Sequence, residues 1–314
     1  MVPVGERIRT WLSFKVGDSL NEAPAISFPE RKMNVLIVLA HPEPQSFNAA
    51  LTRVAEETFL TRGDTVRVSD LYAKRFEPDE HARHFPQRKN PMRFEAQTEQ
   101  RFNNKQGTLP ADVRREIDDV LWADFVMFQF PLWWFGLPAI LKGWMDRVFA
   151  YGALYAGTRR FHTGVCVGKR AMLSVTAGSP AEACTHDGRE GDTRLILWPI
   201  NYALHYVGFA VLEPTLIPGV RGGYSGKDAV DQDRVLEVQL QEHRLRLTNV
   251  DAIPAIPFNA DGDWDERRKL KPHAPVYSPF IRHEARWRDE PPERHCGKSF
   301  YEKFWLGTRG VQIR

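Results

Sequence analysis

Three short segments of the chain combine residue types that can do chemistry with flanking patterns that position them. In the first, His41 follows an apolar run, and Ser46, Phe47 and Asn48 open a segment of helical periodicity. A ring donor, a hydroxyl and the free amides of a helix start can bind a phosphate group, because the helix dipole favours an anion there. An ordinary serine N-cap has the same spacing, so the pattern leaves both interpretations open.

The second and third segments favour a flat aromatic ligand. Three consecutive aromatic residues, Trp133, Trp134 and Phe135, follow Pro131 and Leu132 between a predicted buried strand and a helix. They cannot all face one core, so at least one lines a cavity or an interface. In the third segment Thr176, Ala177 and Gly178 are small enough for their backbone to approach a planar ring closely. Together the three segments predict contacts to a phosphate, a ring face and a ring edge.

Several other chemistries lack their sequence motifs. No G-x-G-x-x-G follows the first predicted strand, and the segment 164–170 is one residue too short for a phosphate-binding loop of the Walker type. There is no H-E-x-x-H motif, and the three cysteines, Cys166, Cys184 and Cys296, have no paired or zinc-type spacing. We therefore expect no metal centre and no disulfide framework.

Composition points to a globular protein with a small-molecule partner. The 314 residues include 43 Lys+Arg and 40 Asp+Glu, a net charge of +3. Basic and acidic residues are interspersed, which excludes the footprint of a nucleic-acid-binding protein and the acidic surface of a small electron carrier. Neither a membrane-spanning apolar run nor a signal-peptide core is present. We expect a cytoplasmic protein.

Short apolar runs alternate with helical periods from Met33 onward. The run from Val35 to Ala40 has the length and continuity of a parallel strand buried on both faces. Further strands are predicted at 65–70, 124–130, 169–176 and 209–212, and helices at 47–59, 112–122, 138–149, 195–206 and 228–247. This alternation predicts an α/β fold with a doubly wound, five-stranded parallel sheet. In such a sheet the ligand site lies at the carboxyl ends of the strands, where the three segments fall.

The ends of the chain differ in character from this central region. Residues 1–32 show no sustained periodicity and are interpreted as an N-terminal tail, ahead of a domain at 33–248. Residues 71–110 are polar and are predicted to be an irregular connection. Residues 249–314 are rich in proline and charge, with apolar anchors such as Trp264 and the segment 277–280. We interpret them as a C-terminal arm.

The motifs around these segments resemble a known family, the flavodoxin-like NAD(P)H dehydrogenases (quinone), which includes DT-diaphorase and the bacterial modulators of drug activity. The resemblance covers about residues 33–250. Its main motifs are LIVLAHP at 36–42, Ser46-Phe47-Asn48, FQFPLWWFG at 128–136 and PAILKGW at 138–144. The third of these is long and compositionally unusual, so a chance match is negligible.

The resemblance implies a flavodoxin-like fold and an FAD-dependent enzyme that uses NAD(P)H to reduce quinones by two-electron, ping-pong hydride transfer. It also implies a homodimer with active sites at the interface, on which the C-terminal arm packs against the partner subunit. The long connection at 71–110 matches the FAD-using branch better than the FMN-using one. By this resemblance the flavin contacts are His41, Ser46, Phe47, Asn48, Pro131, Leu132, Trp133, Trp134, Phe135, Thr176, Ala177 and Gly178.

The chain departs from the family pattern around the expected substrate pocket. Tyr155 matches a pocket tyrosine, but the second tyrosine expected nearby is Gly157, which implies a roomier pocket. A Tyr and a His that stabilise charge on the reduced flavin in animal enzymes are replaced by Cys184 and Glu190, which leaves His186 as the nearby substitute. Tyr155 and His186 are therefore the catalytic candidates. A glutamine that contacts FAD in the family is replaced by Glu95.

Two alternative functions remain open on the sequence. The same flavin site could reduce nitro- or azo-aromatic compounds. The chain could instead be a non-catalytic regulatory flavoprotein, because relatives bind potassium-efflux antiporters as ancillary subunits and the long arm could dock on such a partner.

Overall fold

A parallel β-sheet forms the centre of the protein. The computed structural model describes residues 32–222 and 226–283, so the predicted N-terminal tail lies outside the described residues apart from Lys32. Its strands are β1 Asn34–Leu39, β2 Thr65–Asp70, β3 Phe125–Pro131, β4 Arg170–Thr176, β5 Ala210–Val211 and β6 Thr215–Ile217. The sheet order is β2-β1-β3-β4-β5, and β6 also pairs with β4. The fifth strand predicted at 209–212 is β5, and β6 is a further short strand along β4 that was not predicted.

Among the described residues, six α-helices flank the sheet. They are α1 Phe47–Thr61, α2 Ala96–Gln106, α3 Ala111–Trp122, α4 Ala139–Val148, α5 Thr193–Val207 and α6 Gly226–Thr248. Five of them confirm the predicted helices to within a few residues. Pro138, which was expected inside the first turn of its helix, is instead the N-cap residue of α4.

Helix α2 corrects the prediction that residues 71–110 are irregular throughout. Its sequence has no apolar stripe, and its buried residues are Glu99, Gln100 and Asn103. The Glu99 carboxylate accepts hydrogen bonds from the Lys89 and Asn90 N–H groups at 2.7 and 3.1 Å. Because α2 buries hydrogen-bonded polar groups in place of apolar ones, hydrophobic periodicity could not reveal it.

The core has one layer on each face of the sheet. Leu36 and Val38 of β1 point to one face, which α3, α4 and α5 cover with side chains such as Trp144. Val35 and Ile37 point to the other face, which α1 and α6 cover. Strands β3 and β4 are buried along their whole length. A sheet covered on both faces explains the continuous apolar runs in the sequence.

The first residues of the C-terminal arm pack on the domain itself. The Ile256 N–H donates to the Val211 carbonyl at 2.8 Å, which lengthens the sheet edge at β5. Two residues later, the Phe258 ring stacks on His205 of α5 with a centroid separation of 4.1 Å. The predicted anchors Trp264 and 277–280 lie beyond this contact. Their packing on a partner subunit stays a prediction.

Within residues 32–222 and 226–283, none of the helices combines the length and the apolar character that crossing a membrane requires.

His243 on α6 gives a pH-dependent stability that can be measured. Its ring is buried against α1 near the Leu51 backbone, and burial, with a smaller contribution from Arg246, lowers its pKa from 6.5 to about 3. The native state holds this ring neutral, so the unfolded chain binds more protons below pH 6.5. The stability from this group is complete above pH 6.5 and is lost as the pH falls toward 3.

Between about pH 7 and pH 4.5 the free energy of unfolding should fall by about 2 kcal/mol less in the His243→Leu variant than in the wild type. The reason is that each unit of pKa shift corresponds to about 1.4 kcal/mol. Urea unfolding at the two pH values measures this difference. The exposed His273 provides the matched control His273→Leu. Equal acid sensitivity of the wild type and His243→Leu would contradict the prediction.

Candidate functional site

Three loops meet at the carboxyl edge of the sheet, where β1, β3 and β4 end side by side. Backbone hydrogen bonds join them: the Ala40 N–H donates to the Gln129 carbonyl at 3.0 Å, and the Leu132 N–H donates to the Thr176 carbonyl at 2.8 Å. The three segments predicted from the sequence to act together are therefore brought to one edge. This is the edge at which doubly wound sheets bind their ligands.

The first loop presents hydrogen-bond donors at the start of α1. The Ser46 hydroxyl caps the helix by accepting from the Ala49 N–H at 3.2 Å. Among the described residues, the N–H groups of Phe47 and Asn48 have no acceptor. His41 Nδ1 accepts from the Glu43 N–H at 3.1 Å, so in the neutral ring Nε2 carries the proton and is a donor. A free pair of amides at a helix start suits a phosphate.

The side chain of Asn48 has a different role from the one the resemblance implied. It is 3% exposed and hydrogen-bonds to Thr176 and Gln129 inside the protein. Its backbone N–H is the group that remains available to a phosphate. Ser46 thus supplies the hydroxyl of this loop, and Phe47 and Asn48 supply amides.

The second loop is a tight aromatic turn. Trp133 and Gly136 exchange two backbone hydrogen bonds at 3.2 and 3.0 Å, and between them Trp134 and Phe135 have φ angles of 51° and 58°. Two successive residues with positive φ form a type I′ turn, which normally contains Asn-Gly. Trp134 is 97% exposed and Phe135 56%. The turn therefore displays two large aromatic side chains at a cost in backbone strain.

Such strain is tolerated at functional sites and is rarely retained elsewhere. The base of the turn is rigid, because Leu132 is fixed to β4 and the Trp133 ring lies 6.0 Å from the His41 ring between centroids. The Trp133 ring therefore lies next to the hydrogen-bond donors of the first loop. This juxtaposition matches a ligand that has both a phosphate and a flat ring.

The third loop continues from β4 along β6. The Thr176 hydroxyl is committed to Asn48, and the Ala177 N–H donates to the Ile217 carbonyl at 2.9 Å. Gly178 leaves an open face, since a Cβ built there would meet no atom closer than the Val220 carbonyl oxygen at 3.8 Å. Ala177 and Gly178 form a smooth backbone surface that a ring edge can approach.

Tyr155 lies in a cluster of aromatic rings beside the last turn of α5, the helix that leads into β5. Its hydroxyl accepts a hydrogen bond from Gln97 Nε2 at 3.2 Å, and its ring contacts Tyr151 and Tyr206 edge-on. Burial is the main factor that raises the pKa of Tyr155 above 10, with smaller contributions from the two tyrosines. The hydroxyl therefore stays protonated at neutral pH and can donate its own hydrogen to a ligand oxygen.

The other predicted pocket residues lie on the loop after β4. The His186 side chain is 68% exposed, with Asp187 at 3.8 Å from its Nδ1. Cys184 is buried, and its backbone carbonyl accepts from the Thr193 hydroxyl at 3.3 Å. His186 is thus free of packing constraints, whereas Cys184 belongs to the core of its loop.

Two glutamines of the site had no signal in the sequence. Gln97 contacts Tyr155 from α2, a helix that the sequence pattern did not reveal. Glu95, which stands where the family has a glutamine that contacts FAD, is the N-cap residue of α2, and it contacts Thr98 and Arg93. Gln129 lies inside an apolar strand. Only the three-dimensional contacts identify either glutamine as part of the site.

Comparisons with known proteins agree with the fold and indicate the class of protein. A family model described as "Flavodoxin-like fold" matches residues 33–240. Ribosyldihydronicotinamide dehydrogenase [quinone] of Pongo abelii is 46% identical over 184 residues, which cover 58% of this chain and 80% of that protein. NAD(P)H dehydrogenase [quinone] 1 of Cavia porcellus is 42% identical over 187 residues, covering 59% of this chain and 68% of that protein.

A solved structure, assigned as a quinone reductase of Klebsiella pneumoniae, superposes with a TM-score of 0.69 at 36% identity and covers 77% of this chain and 95% of the other. The sheet order and the edge site define an α/β protein of the doubly wound class. Within that class the chain belongs to the flavodoxin-like family that includes the NAD(P)H dehydrogenases (quinone), and it is an oxidoreductase.

Proposed function

We propose that the chain is an FAD-dependent NAD(P)H oxidoreductase that reduces quinones. The observation that carries the proposal is the meeting of three loops at one sheet edge: free amides at the start of α1, a strained aromatic turn and an open backbone at Gly178. These groups fit the phosphates, the face and the edge of a flavin. Quinone dehydrogenases of 42 to 46% identity support the acceptor class.

Each loop has a distinct task in this proposal. Ser46 and the amides of Phe47 and Asn48 hold the phosphates, with His41 beside them. The segment 131–135 covers the ring face, and the segment 176–178 borders its edge. FAD supplies hydride-transfer chemistry when it is bound there. NAD(P)H and the quinone use the same pocket in turn, which gives ping-pong kinetics.

The choice of FAD over FMN rests on the long connection between β2 and α3. This connection contains α2 and is held to the domain by partly buried polar contacts: Arg147 donates to the Glu77 carbonyl at 2.6 Å, and Asn104 donates to the Gly152 carbonyl at 2.9 Å. It adds an ordered wall beside Tyr155, long enough to contact the second half of a dinucleotide.

The visible absorbance spectrum of the purified full-length protein tests the cofactor directly. We expect a flavin spectrum that bleaches when NADH or NADPH is added without oxygen and returns when a quinone is added. Chromatography of the cofactor released by heat distinguishes FAD from FMN. A colourless protein that binds neither flavin would overturn the proposal and favour a regulatory protein without a flavin.

Tyr155→Phe tests the proposed hydroxyl donor. The variant keeps the aromatic packing with Tyr151 and Tyr206 but removes the hydrogen that can stabilise negative charge on the acceptor oxygen. We expect kcat/KM for the quinone to fall at least about tenfold, somewhat less than the loss of a dedicated oxyanion donor. The flavin dissociation constant should stay within about twofold of the wild type.

His186→Ala, measured in parallel, tests the second catalytic candidate. We propose that the exposed imidazole supplies protons at the rim of the pocket, so kcat should fall in the variant and its pH profile should change. A pH profile of kcat identical to that of the wild type would remove His186 from the site.

A homodimer with the C-terminal arm on the partner subunit completes the proposal. Truncation after Phe258 keeps the contacts of Ile256 and Phe258 with the domain, including the stack on His205, and removes the proposed anchors Trp264 and 277–280. We expect light scattering to show that the wild type is a dimer. The dissociation constant of the dimer should be at least about tenfold higher for the truncated protein. An unchanged dimer with unchanged activity would contradict this role of the arm.

Nitro- and azo-aromatic compounds are the second candidate acceptors. The observation in their favour is Gly157, where a Cβ would meet nothing closer than the Tyr151 hydroxyl at 3.8 Å. Space beside Tyr155 admits acceptors bulkier than a simple benzoquinone. Steady-state kcat/KM values for a quinone series and a nitro-aromatic series, measured on one preparation, decide between the two classes.

A further inference from the structure

Gln129 is a polar residue in the otherwise apolar strand β3. The strand sequence is FVMFQFP, and every residue in it is buried. The Gln129 side chain is fully buried. Burying an amide in a parallel strand costs free energy unless its hydrogen bonds are made inside the protein. The contacts of this side chain therefore indicate what it does.

Gln129 donates from Nε2 to Asn48 Oδ1 at 2.9 Å. Asn48 in turn donates from Nδ2 to the Thr176 hydroxyl oxygen at 3.0 Å. All three side chains are at most 3% exposed. They form a buried chain of hydrogen bonds that runs from β3, through the start of α1, to the end of β4.

This chain connects the loops of the candidate site to one another. Asn48 is the second residue of α1, next to the amides proposed to hold the phosphates. The backbone carbonyl of Thr176 fixes Leu132, which begins the aromatic turn, and the backbone carbonyl of Gln129 fixes Ala40, which begins the first loop. The same two residues thus hold the loops by their main chains and α1 by their side chains.

The polar surface continues across the sheet beneath α1. Ser174 of β4 lies beside Gln129 in the strand register and is completely buried. Gln129 Oε1 and Ser174 Oγ have no hydrogen-bond partner among the described residues.

We infer that Gln129 is a positioning residue that sets the distance between the phosphate end and the ring end of the flavin site. The inference rests on the proposed flavin function. Asn48 and Thr176 are the two ends of the link, and Gln129 holds Asn48 from the sheet below. A ligand that binds at both ends gains affinity from this fixed spacing, whereas a ligand that binds at one end does not.

The binding of FAD and of riboflavin, two flavins of different length, distinguishes this positioning role from a general loss of structure. FAD engages both ends of the site, whereas riboflavin has the ring and no phosphate. We expect Gln129→Leu to raise the dissociation constant of FAD about tenfold, as for the loss of one buried hydrogen bond. The dissociation constant of riboflavin should stay within about twofold of the wild type. Fluorescence quenching on full-length apoprotein measures both.

Met127→Leu is the matched control, since Met127 is buried on the same face of β3 two residues earlier and the change conserves volume. It should leave both constants unchanged. If Gln129→Leu does not fold, Thr176→Val breaks the other end of the link and should give the same difference between FAD and riboflavin. In the double variant Gln129→Leu, Thr176→Val the two increases in the dissociation constant of FAD should not add, because both substitutions break the same chain of hydrogen bonds.

The outcomes are distinct. Equal weakening of FAD and riboflavin, or no weakening of either, would overturn the positioning role while the flavin function stands. A wild-type protein that binds neither flavin overturns the proposed function, and the inference falls with it.

Discussion

Ser46→Asp should weaken FAD binding more than a hundredfold while leaving the apoprotein as stable as the wild type or slightly more so. Asp is as good an N-cap as Ser, and a negative charge at a helix start adds about 0.3–1 kcal/mol of stability. The same carboxylate faces the phosphates of the ligand. At about 4 Å and an effective dielectric constant of about 20 their repulsion is about 4 kcal/mol. Fluorescence titration and thermal unfolding measure the two effects.

Ser46→Asn is the matched control for the charge. It has the same shape and the same capping ability as Asp, but it is neutral. We expect it to bind FAD within about threefold of the wild type. If Asp and Asn weaken FAD binding equally, then no phosphate lies at the start of α1. Loss of helix stability in either variant would show instead that Ser46 acts chiefly as a cap.

Replacing the aromatic turn should give a protein that is more stable and less active. In the double variant Trp134→Asn, Phe135→Gly, the turn carries the residues that a type I′ turn prefers. Relief of the left-handed backbone at two positions is worth about 1–2 kcal/mol each. The ligand loses two aromatic contacts, so we expect the dissociation constant of FAD to rise at least about tenfold, the equivalent of about 1.4 kcal/mol.

Arg75→Gly is the control for backbone relief away from the aromatic turn. Arg75 is exposed and has a φ of 52°. The variant should gain about 1 kcal/mol of stability and keep the flavin affinity and the activity of the wild type. If the double variant gains stability and keeps its FAD affinity, the aromatic residues serve some other purpose than covering a flavin.

Together the two experiments separate the two ends of the ligand. Ser46→Asp acts on the phosphate end and should leave riboflavin binding nearly unchanged. The turn variant acts on the ring and should weaken riboflavin and FAD alike. A protein that shows both patterns has the extended, two-ended flavin site that the three loops form.

The strands and the site loops were predictable because each depends on a local pattern. Strands buried on both faces need continuous apolar runs, which is why the runs at 35–40 and 124–130 predicted β1 and β3. Residues 176–178 could be assigned to the site because the carboxyl ends of parallel strands share one edge. The motif at 128–136 then indicated the family from residue identity alone.

Features that depend on polar contacts between distant segments could not be predicted in this way. Helix α2 has no apolar stripe, and it exists because Glu99 and Gln100 find partners outside the helix. The short strand β6 was likewise not predicted, and it is defined by its own pairing with β4, separate from that of β5.

Residue type likewise gave no indication of how individual site side chains are used. Asn48 looks like a phosphate ligand in sequence, yet its side chain binds Gln129, which is 81 positions away along the chain. Trp134 and Phe135 have positive φ although aromatic residues disfavour it, because the flanking pair of Trp133 and Gly136 closes the turn around them. The burial of apolar side chains produces a regular pattern among neighbouring residues in the sequence. A hydrogen bond between side chains that are far apart along the chain produces no such pattern, because only the tertiary structure brings the donor and the acceptor together.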